Sequence, residues 1–395
     1  MEAWIQAPGN RKACAFHCHA LTGFSRVGAR CRTRPRGRPH GEICVIREVR
    51  LHHFRCFENL DFFPDEHRTC IVGQNAQGKT SILEAVCVLL RLQSPRTTTT
   101  SDLIQSGSES FALEGRFGDT RLQYRQTPEG RSITLDSKIQ QKSEDYLSTA
   151  RITWFSNSDL DLVKGSGSVR RRYLDFLGMQ SVPGYRKALR DYERALRSRN
   201  ALLKEGRPRR EIAAFDLPLL DSGEVLLAAR SKLVEALAPL AASACLEISS
   251  AADILAVRHR PGCSVPFSEA LATSRPEEDR LRQTVCGPHR DDLELELNTL
   301  KASSFASEGQ QRTIALALKI AQARHIEAIH GHPPVLLLDD IFGELDTARR
   351  NNLLAALPKD AQTLITTTFL DWAGDAASMA VLTLEGRRLK AGGPK

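Results

Sequence analysis

An α/β fold with a mixed sheet and an inserted helical lobe is what this sequence predicts, on three observations. A short apolar strand at residues 69–72 enters a glycine-rich loop and then a helix reaching about residue 92. A second apolar strand, at 335–338, runs straight into two aspartates. Between them lie two long segments, 170–204 and 224–243, whose only breakers are Gly178, the Pro183-Gly184 pair and Pro239. Short strands that are apolar at every position belong to a parallel sheet covered on both faces. Breaker-poor stretches of this length are helical.

Bulk properties narrow the class. The chain has 395 residues, 41% apolar and 26% charged, which excludes bulk disorder. At about 150 residues per domain it makes two domains, or one large domain with an insertion. Aromatic residues are only 6%, too few for a stacking platform that grips single strands. No apolar run approaches the roughly 20 residues that span a bilayer, and the best, 82–92, is broken by Glu84 and Arg91. No membrane association and a cytoplasmic location are therefore expected.

The formal charge is +8, yet residues 1–43 hold eight Lys and Arg and only two acids. The rest of the chain is nearly neutral, so any DNA affinity must come from local patches. Within the first segment, Cys14, His17, Cys18 and His19, with Cys31 and Cys44, invite a zinc reading, but no CxxC pair occurs and no finger spacing is matched. A targeting peptide is a further alternative. The expectation for 1–43 is a disordered basic extension or a misassigned start. Ten cysteines without a paired framework fit a reducing compartment, most of them buried as small apolar residues.

Taken in order, residues 44–63 alternate apolar and polar, as two strands around a turn do. After the loop helix, 97–100 is a polar break. Residues 111–135 alternate again, with turns at Gly118-Asp119 and Pro128-Glu129-Gly130. Loops are expected at 258–275, and a strand through Leu293, Leu295 and Leu297. A helix at 309–329, the strand at 335–338, a helix at 347–357 and a strand at 363–366 complete the pattern. The predicted organisation is the extension 1–43, a first part of the head at 44–170, a helical lobe at 171–281 and a second part of the head at 282–395.

Residues 73–80 read GQNAQGKT, a gapless GxxxxGK[ST] in the required strand–loop–helix setting. In such a loop (Gly73, Gln74, Asn75, Ala76, Gln77, Gly78) successive backbone N–H groups wrap a phosphate, aided by the helix N-terminus. Lys79 reaches the outer phosphates of ATP, and the Thr80 hydroxyl completes a Mg²⁺ shell. At the second strand, Asp339 is expected to hold Mg²⁺ through water, opposite Thr80. Asp340 is the candidate for polarising the attacking water.

A third motif, Phe305-Ala-Ser307-Glu308-Gly309-Gln310-Gln311, opens a helix shortly before the acidic strand, and Glu344-Leu345-Asp346 follows the carboxylates. Four motifs in this order resemble the ABC-type ATPases: phosphate loop, signature, acidic strand and D-loop. The resemblance implies an ABC-type head with nucleotide contacts from Ser307, Gly309, Gln310 and Asp346. It also implies that two heads dock face to face, so that Ser307 and Gly309 cap the γ-phosphate held by the other copy.

Further blocks narrow the likeness. Residues 45–55 form an opening strand ending in Phe54-Arg55, 159–175 read DLDLVKGSGSVRRRYLD, 198–204 read SRNALLK, 287–292 read GPHRDD and 362–368 read QTLITTT. Over about 45–380 the chain resembles the RecF family of SMC-like ATPases. What this implies is a weak, DNA-stimulated ATPase that dimerises on ATP and binds DNA at single-strand/double-strand junctions and duplex. Its implied partners are RecR and RecO, with RecA indirectly, in gap repair, replication restart and the SOS damage response. Three departures stand out. Ala76 replaces a common glycine, tolerable if its φ is negative. Residues 154–160 lack a usual proline, which leaves the Q-loop unassigned. Thr366-Thr367-Thr368 stand where a switch histidine is familiar. The span from Gly78 to Ser307 is too short for a long coiled coil. A transporter nucleotide-binding subunit is disfavoured by the GPHRDD block and the lobe. A chromosome-structural ATPase without a loading role remains the nearer alternative.

Residues 184–210 contain ten Lys and Arg against three acids. Arg186, Arg190, Arg194 and Arg197 recur at helical spacing and share a face, which suits sequence-independent phosphate contacts. The alternative is a solvated face with salt bridges. His289 and Arg290 lack a visible nucleophile partner, so turn and interface packing is expected of them.

Overall fold

The computed structural model describes residues 45–249, 253–370 and 379–391. The expectations for the basic extension and its Cys/His set lie outside the described residues.

In chain order, β1 (Ile46–Phe54) and β2 (Phe57–Phe62) form a hairpin, and β3 (Arg68–Val72) leads through the phosphate loop to α1 (Lys79–Arg91). A meander follows of β4 (Phe111–Phe117), β5 (Thr120–Thr127), β6 (Gly130–Leu135) and β7 (Lys138–Ile139). Short α2 (Glu144–Ser148) precedes β8 (Ile152–Ser156) and α3 (Asp161–Lys164). Then come the helices α4 (Gly167–Ser181), α5 (Tyr185–Glu205), α6 (Arg209–Ala213) and α7 (Asp216–Ser249). The chain returns through β9 (Leu255–Arg260), α8 (Phe267–Thr273), α9 (Arg275–Leu281), β10 (Asp292–Leu297), β11 (Leu300–Lys301) and α10 (Ala302–Phe305). It closes with α11 (Glu308–His330), β12 (Val335–Asp339), α12 (Thr347–Ala356), β13 (Thr363–Thr367), β14 (Ala380–Glu385) and β15 (Arg388–Ala391).

The central sheet has the order β15-β14-β3-β13-β12-β8, parallel except for the antiparallel edge strand β15. Its side chains alternate between two apolar layers. Ile71, Trp154, Leu337 and Leu364 face α1 and the antiparallel sheet β2-β1-β4-β5-β6-β7. Cys70, Phe155, Leu336 and Ile365 face α11 and the lobe helices. Burial on both faces is why these strands read as continuous apolar runs. The lobe has no separate core: Leu174, Tyr192, Leu226 and Leu233 belong to the same apolar cluster as Ile314 and Leu318 of α11.

Several elements depart from expectation. Where loops were expected, β9 pairs with β10 along its whole length and α8 follows. The apolar inward positions of β9 are few, Leu255 and Val257, and the next inward position is a histidine, His259, set between outward Arg258 and Arg260, which masks the alternation. Pro239 does not end α7, because Leu233, Leu237, Ala241 and Ala244 bury that stretch and hold the helix through the missing N–H. Strands β8, β14 and β15 were not foreseen; β8 is a five-residue strand whose pairing to β12 comes from far along the chain.

Candidate nucleotide site

The phosphate loop sits at the carboxyl ends of β3, β12 and β13, the place where ligands bind in open α/β sheets. Gly78 ends it as the N-cap of α1 with φ 106°, and a Cβ there would lie 2.6 Å from Cys56 Sγ and 2.7 Å from Phe57 Cζ. Only glycine meets both demands. Ala76 has φ 64°, so the condition of a negative φ under which alanine is easily tolerated is not met. Closure of the loop forces the left-handed conformation, at a cost of about 1–2 kcal/mol for a residue with a Cβ.

Lys79 is buried, with Nζ donating to the carbonyls of Gly73 at 2.5 Å and Gln74 at 2.9 Å. Burial lowers its pKa, opposed by Asp340 and Asp339. Asp339 and Thr80, separated by most of the chain, meet as expected: Thr80 Oγ1 donates to Asp339 Oδ1 at 2.8 Å. Thr366 Oγ1 donates to the same oxygen at 2.8 Å. Burial raises the Asp339 carboxyl above its ordinary range, and these two hydroxyls only partly offset it. Asp340 is turned out of the strand at φ 52°, its N–H donating to Thr366. Its pKa is also raised by burial, with Lys79 opposing. One carboxylate held by two hydroxyls, and a second facing only the charge of Lys79, form beside the phosphate loop a donor set for a hard divalent cation.

The signature lies at the start of α11. Ser307 is the N-cap: its Oγ accepts from the Gln310 N–H, and the Gln310 amide oxygen accepts from the Ser307 N–H at 3.0 Å. The Gln310 amide N–H₂ then donates to Asp253 at 3.3 Å, so this expected nucleotide ligand serves to close a capping box. Asp346 caps α12, accepting from the Arg349 N–H at 2.8 Å.

Sequence reasoning missed the residues that tie these motifs together. Asn157, just past β8, donates to the Asp340 carbonyl at 3.2 Å and to Glu344 at 3.4 Å. Glu344 also pairs with Arg312 of α11. Asp159 pairs with Lys319 of α11 at 2.8 Å, while Lys319 donates to the Trp154 carbonyl. Fully buried Glu84 holds Arg55 at 2.6 Å and Arg96 at 3.2 Å. Two signals were available, for Asp159 the family-like block at 159–175 and for Arg55 the Phe-Arg ending of the opening strand.

The basic stretch is narrower than its composition suggested. α5 buries Tyr185, Ala188, Tyr192, Ala195, Arg199 and Leu203 on one face. Arg199 is fully buried, bonded to Glu278, Asp216 and Thr284. Lys187, Arg207 and Arg209 pair with Asp191, Glu211 and Glu278. Arg190 and Arg194 are exposed, with no ion pair among the described residues, and Arg197 lies 3.8 Å from Glu193. Arg186 is half-buried, its pKa lowered by burial and then by Arg131 and Arg190. His289 packs as expected: Nε2–H donates to the Thr284 carbonyl at 3.0 Å, which leaves Nδ1 to accept from Tyr192 at 2.7 Å.

Comparison with known proteins identifies the family and the fold. The sequence profile of the RecF/RecN/SMC N-terminal domain matches residues 45–387. The DNA replication and repair protein RecF of Crocosphaera subtropica is 36% identical over 354 residues, covering 82% of this chain and 93% of the relative. That of an Anaeromyxobacter species is 39% identical over 343 residues, covering 82% and 92%. Among solved structures, the recombination mediator protein RecF-ATP of the RecFOR pathway superposes with a TM-score of 0.81 at 26% identity, covering 90% of this chain and 100% of that one. An Smc head shares the fold at 16% identity and a TM-score of 0.51. With its phosphate loop, acidic strand and signature set on this fold, the chain belongs to the RecF family of bacterial DNA replication and repair proteins, within the RecF/RecN/SMC ATPases.

Proposed function

We propose that this chain is an ATP-switched DNA-binding protein of recombinational repair and replication restart. It dimerises on ATP at gapped DNA and, with RecO and RecR, helps RecA load there. Hydrolysis is slow, stimulated by DNA, and resets the dimer in the cytoplasm. The observation that carries this reading is the meeting of Thr80 and Thr366 on one oxygen of Asp339, with Asp340 turned beside Lys79.

These residues fit Mg²⁺, because Asp339 and the Thr80 hydroxyl offer adjacent oxygens in a pocket where the carboxyl is short of positive charge. Bound there, the ion would screen charge on the outer phosphates. Lys79 holds the β- and γ-phosphates, exchanging its bonds to the Gly73 and Gln74 carbonyls for phosphate oxygens. Asp340, its carboxyl made more basic by burial, orients and polarises the attacking water. Ser307 and Gly309 close the site from the second copy, which makes nucleotide part of the dimer interface.

The lobe at 171–281 presents Arg186, Arg190, Arg194 and Arg197 to the DNA backbone. Replacing Arg190, Arg194 and Arg197 together by alanine should weaken duplex binding and lower its salt slope by about 2–3. An unchanged slope moves the DNA surface elsewhere. For the site itself, Lys79→Met should abolish ATP binding and ATP-dependent dimerisation; a variant that still dimerises with ATP contradicts the assignment. Co-purification with RecR separates this reading from a chromosome-structural ATPase.

A further inference from the structure

We propose that Arg349 is a ligand of the γ-phosphate across the dimer, acting on the ATP held by the partner copy. The inference rests on the face-to-face reading above and names a residue outside the four motifs.

The guanidinium of Arg349 lies on the signature glycine. A Cβ built on Gly309 would sit 2.9 Å from one terminal nitrogen of Arg349 and 3.3 Å from the other. The signature therefore presents, at one spot, the Ser307 hydroxyl, a bare glycine backbone and a guanidinium. Ser307 Oγ accepts from the Gln310 N–H, which leaves its own O–H to donate. Glu308, the one acid within the motif, is turned to Arg312 at 3.0 Å and its charge is compensated there.

Arg349 is held loosely. Its side-chain partner is Asp346, three residues earlier, at 3.2 Å, with side-chain exposures of 32% and 56%. An exposed pair at this spacing is worth little, so the guanidinium can leave Asp346 for a stronger anion at small cost. Its planar fork matches a terminal phosphate in bidentate fashion. In hydrolysis, water adds to the γ-phosphorus as the bond to the β–γ bridging oxygen breaks, giving ADP, phosphate and a proton. Arg349 donates hydrogen bonds to the γ-oxygens throughout and neither gains nor loses a proton.

The test combines Arg349→Ala, Arg349→Lys and Lys79→Met in the full chain. Arg349→Ala should bind ATP as a monomer within about twofold of wild type, while its ATP-driven dimer dissociates at least ~10-fold more readily. Its hydrolysis should fall ~100-fold, with Arg349→Lys recovering part. Mixing Arg349→Ala with Lys79→Met should restore hydrolysis and ATP-dependent dimer mass above either variant alone, because one hybrid site then joins an intact phosphate loop to an intact Arg349. No gain on mixing, or an Arg349→Ala protein that dimerises and hydrolyses like wild type, overturns the proposal. A wild-type protein that stays monomeric with ATP overturns the face-to-face reading as well.

Discussion

The buried carboxylates in and against the lobe and those of the nucleotide site differ in what neutralises them. In the lobe, fully buried Glu278 is gripped by two nitrogens of Arg199, at 2.7 and 2.8 Å, and by Arg209 at 3.0 Å. Fully buried Asp291, from the GPHRDD block, accepts from Arg230 at 2.8 Å and from the Gly262 N–H at 2.7 Å, and Arg230 also holds Asp175 at 2.7 Å. At the strand end, Asp339 has two hydroxyls, and Asp340 has only the nearby charge of Lys79 against its burial. Carboxylates saturated by arginine brace a structure; those left short of positive charge are reserved for something the chain does not itself supply.

Substitution should separate the two kinds sharply. Arg230→Met leaves Asp175 and Asp291 buried without their cation, and should cost about 3–5 kcal/mol in denaturant unfolding. Asp339→Asn should change stability by less than ~1 kcal/mol, because a carboxyl whose pKa is raised by burial is a net liability at neutral pH. The same substitution should remove Mg²⁺-dependent hydrolysis. Equal destabilisation by both variants would erase the contrast.

Acid should act first through buried histidines that pack beside the lobe and in α11. Burial depresses the His289 pKa from 6.5 to about 4. The native state keeps this ring neutral while the unfolded chain protonates it, so its contribution is fully present above pH 6.5 and is lost as the pH falls to about 4. The loss amounts to at most ~3 kcal/mol. Burial also lowers His325 and His330, which act in the same direction. His289→Gln should flatten the stability–pH curve in that window relative to wild type, and an unchanged curve would assign the acid sensitivity elsewhere. The smallest effect belongs to the phosphate loop. Ala76→Gly relieves a left-handed alanine but adds unfolded-state freedom, for a net gain of about 1 kcal/mol or less by thermal unfolding. A loss of stability would mean that the loop does not hold this conformation.

The nucleotide motifs were legible because each is contiguous: spacing alone places Lys79 and Thr80 on one helix start, and Asp339 and Asp340 at one strand end. Their connectors were not. Thr366 and Asn157 reach the site only through the order β3-β13-β12-β8, which a linear pattern does not encode, and the bond of Asn157 to Glu344 of the D-loop depends on the same order. Arg199 read as one more surface cation because its counter-charge, Glu278, lies 79 positions away. The left-handed φ of Ala76 goes against the residue's own preference, in a loop whose two ends press on Leu384 at Gly73 and on Cys56 and Phe57 at Gly78, contacts that a linear pattern does not carry.

The most direct test is the mass of the protein in solution with ATP, with ADP and without nucleotide, alone and with gapped DNA, for wild type, Lys79→Met and Asp340→Asn. The account predicts a wild-type dimer with ATP that reverts to monomer on hydrolysis, a Lys79→Met monomer throughout, and an Asp340→Asn dimer that persists. A mass that ignores nucleotide, or an Asp340→Asn protein that stays monomeric with ATP, would contradict it.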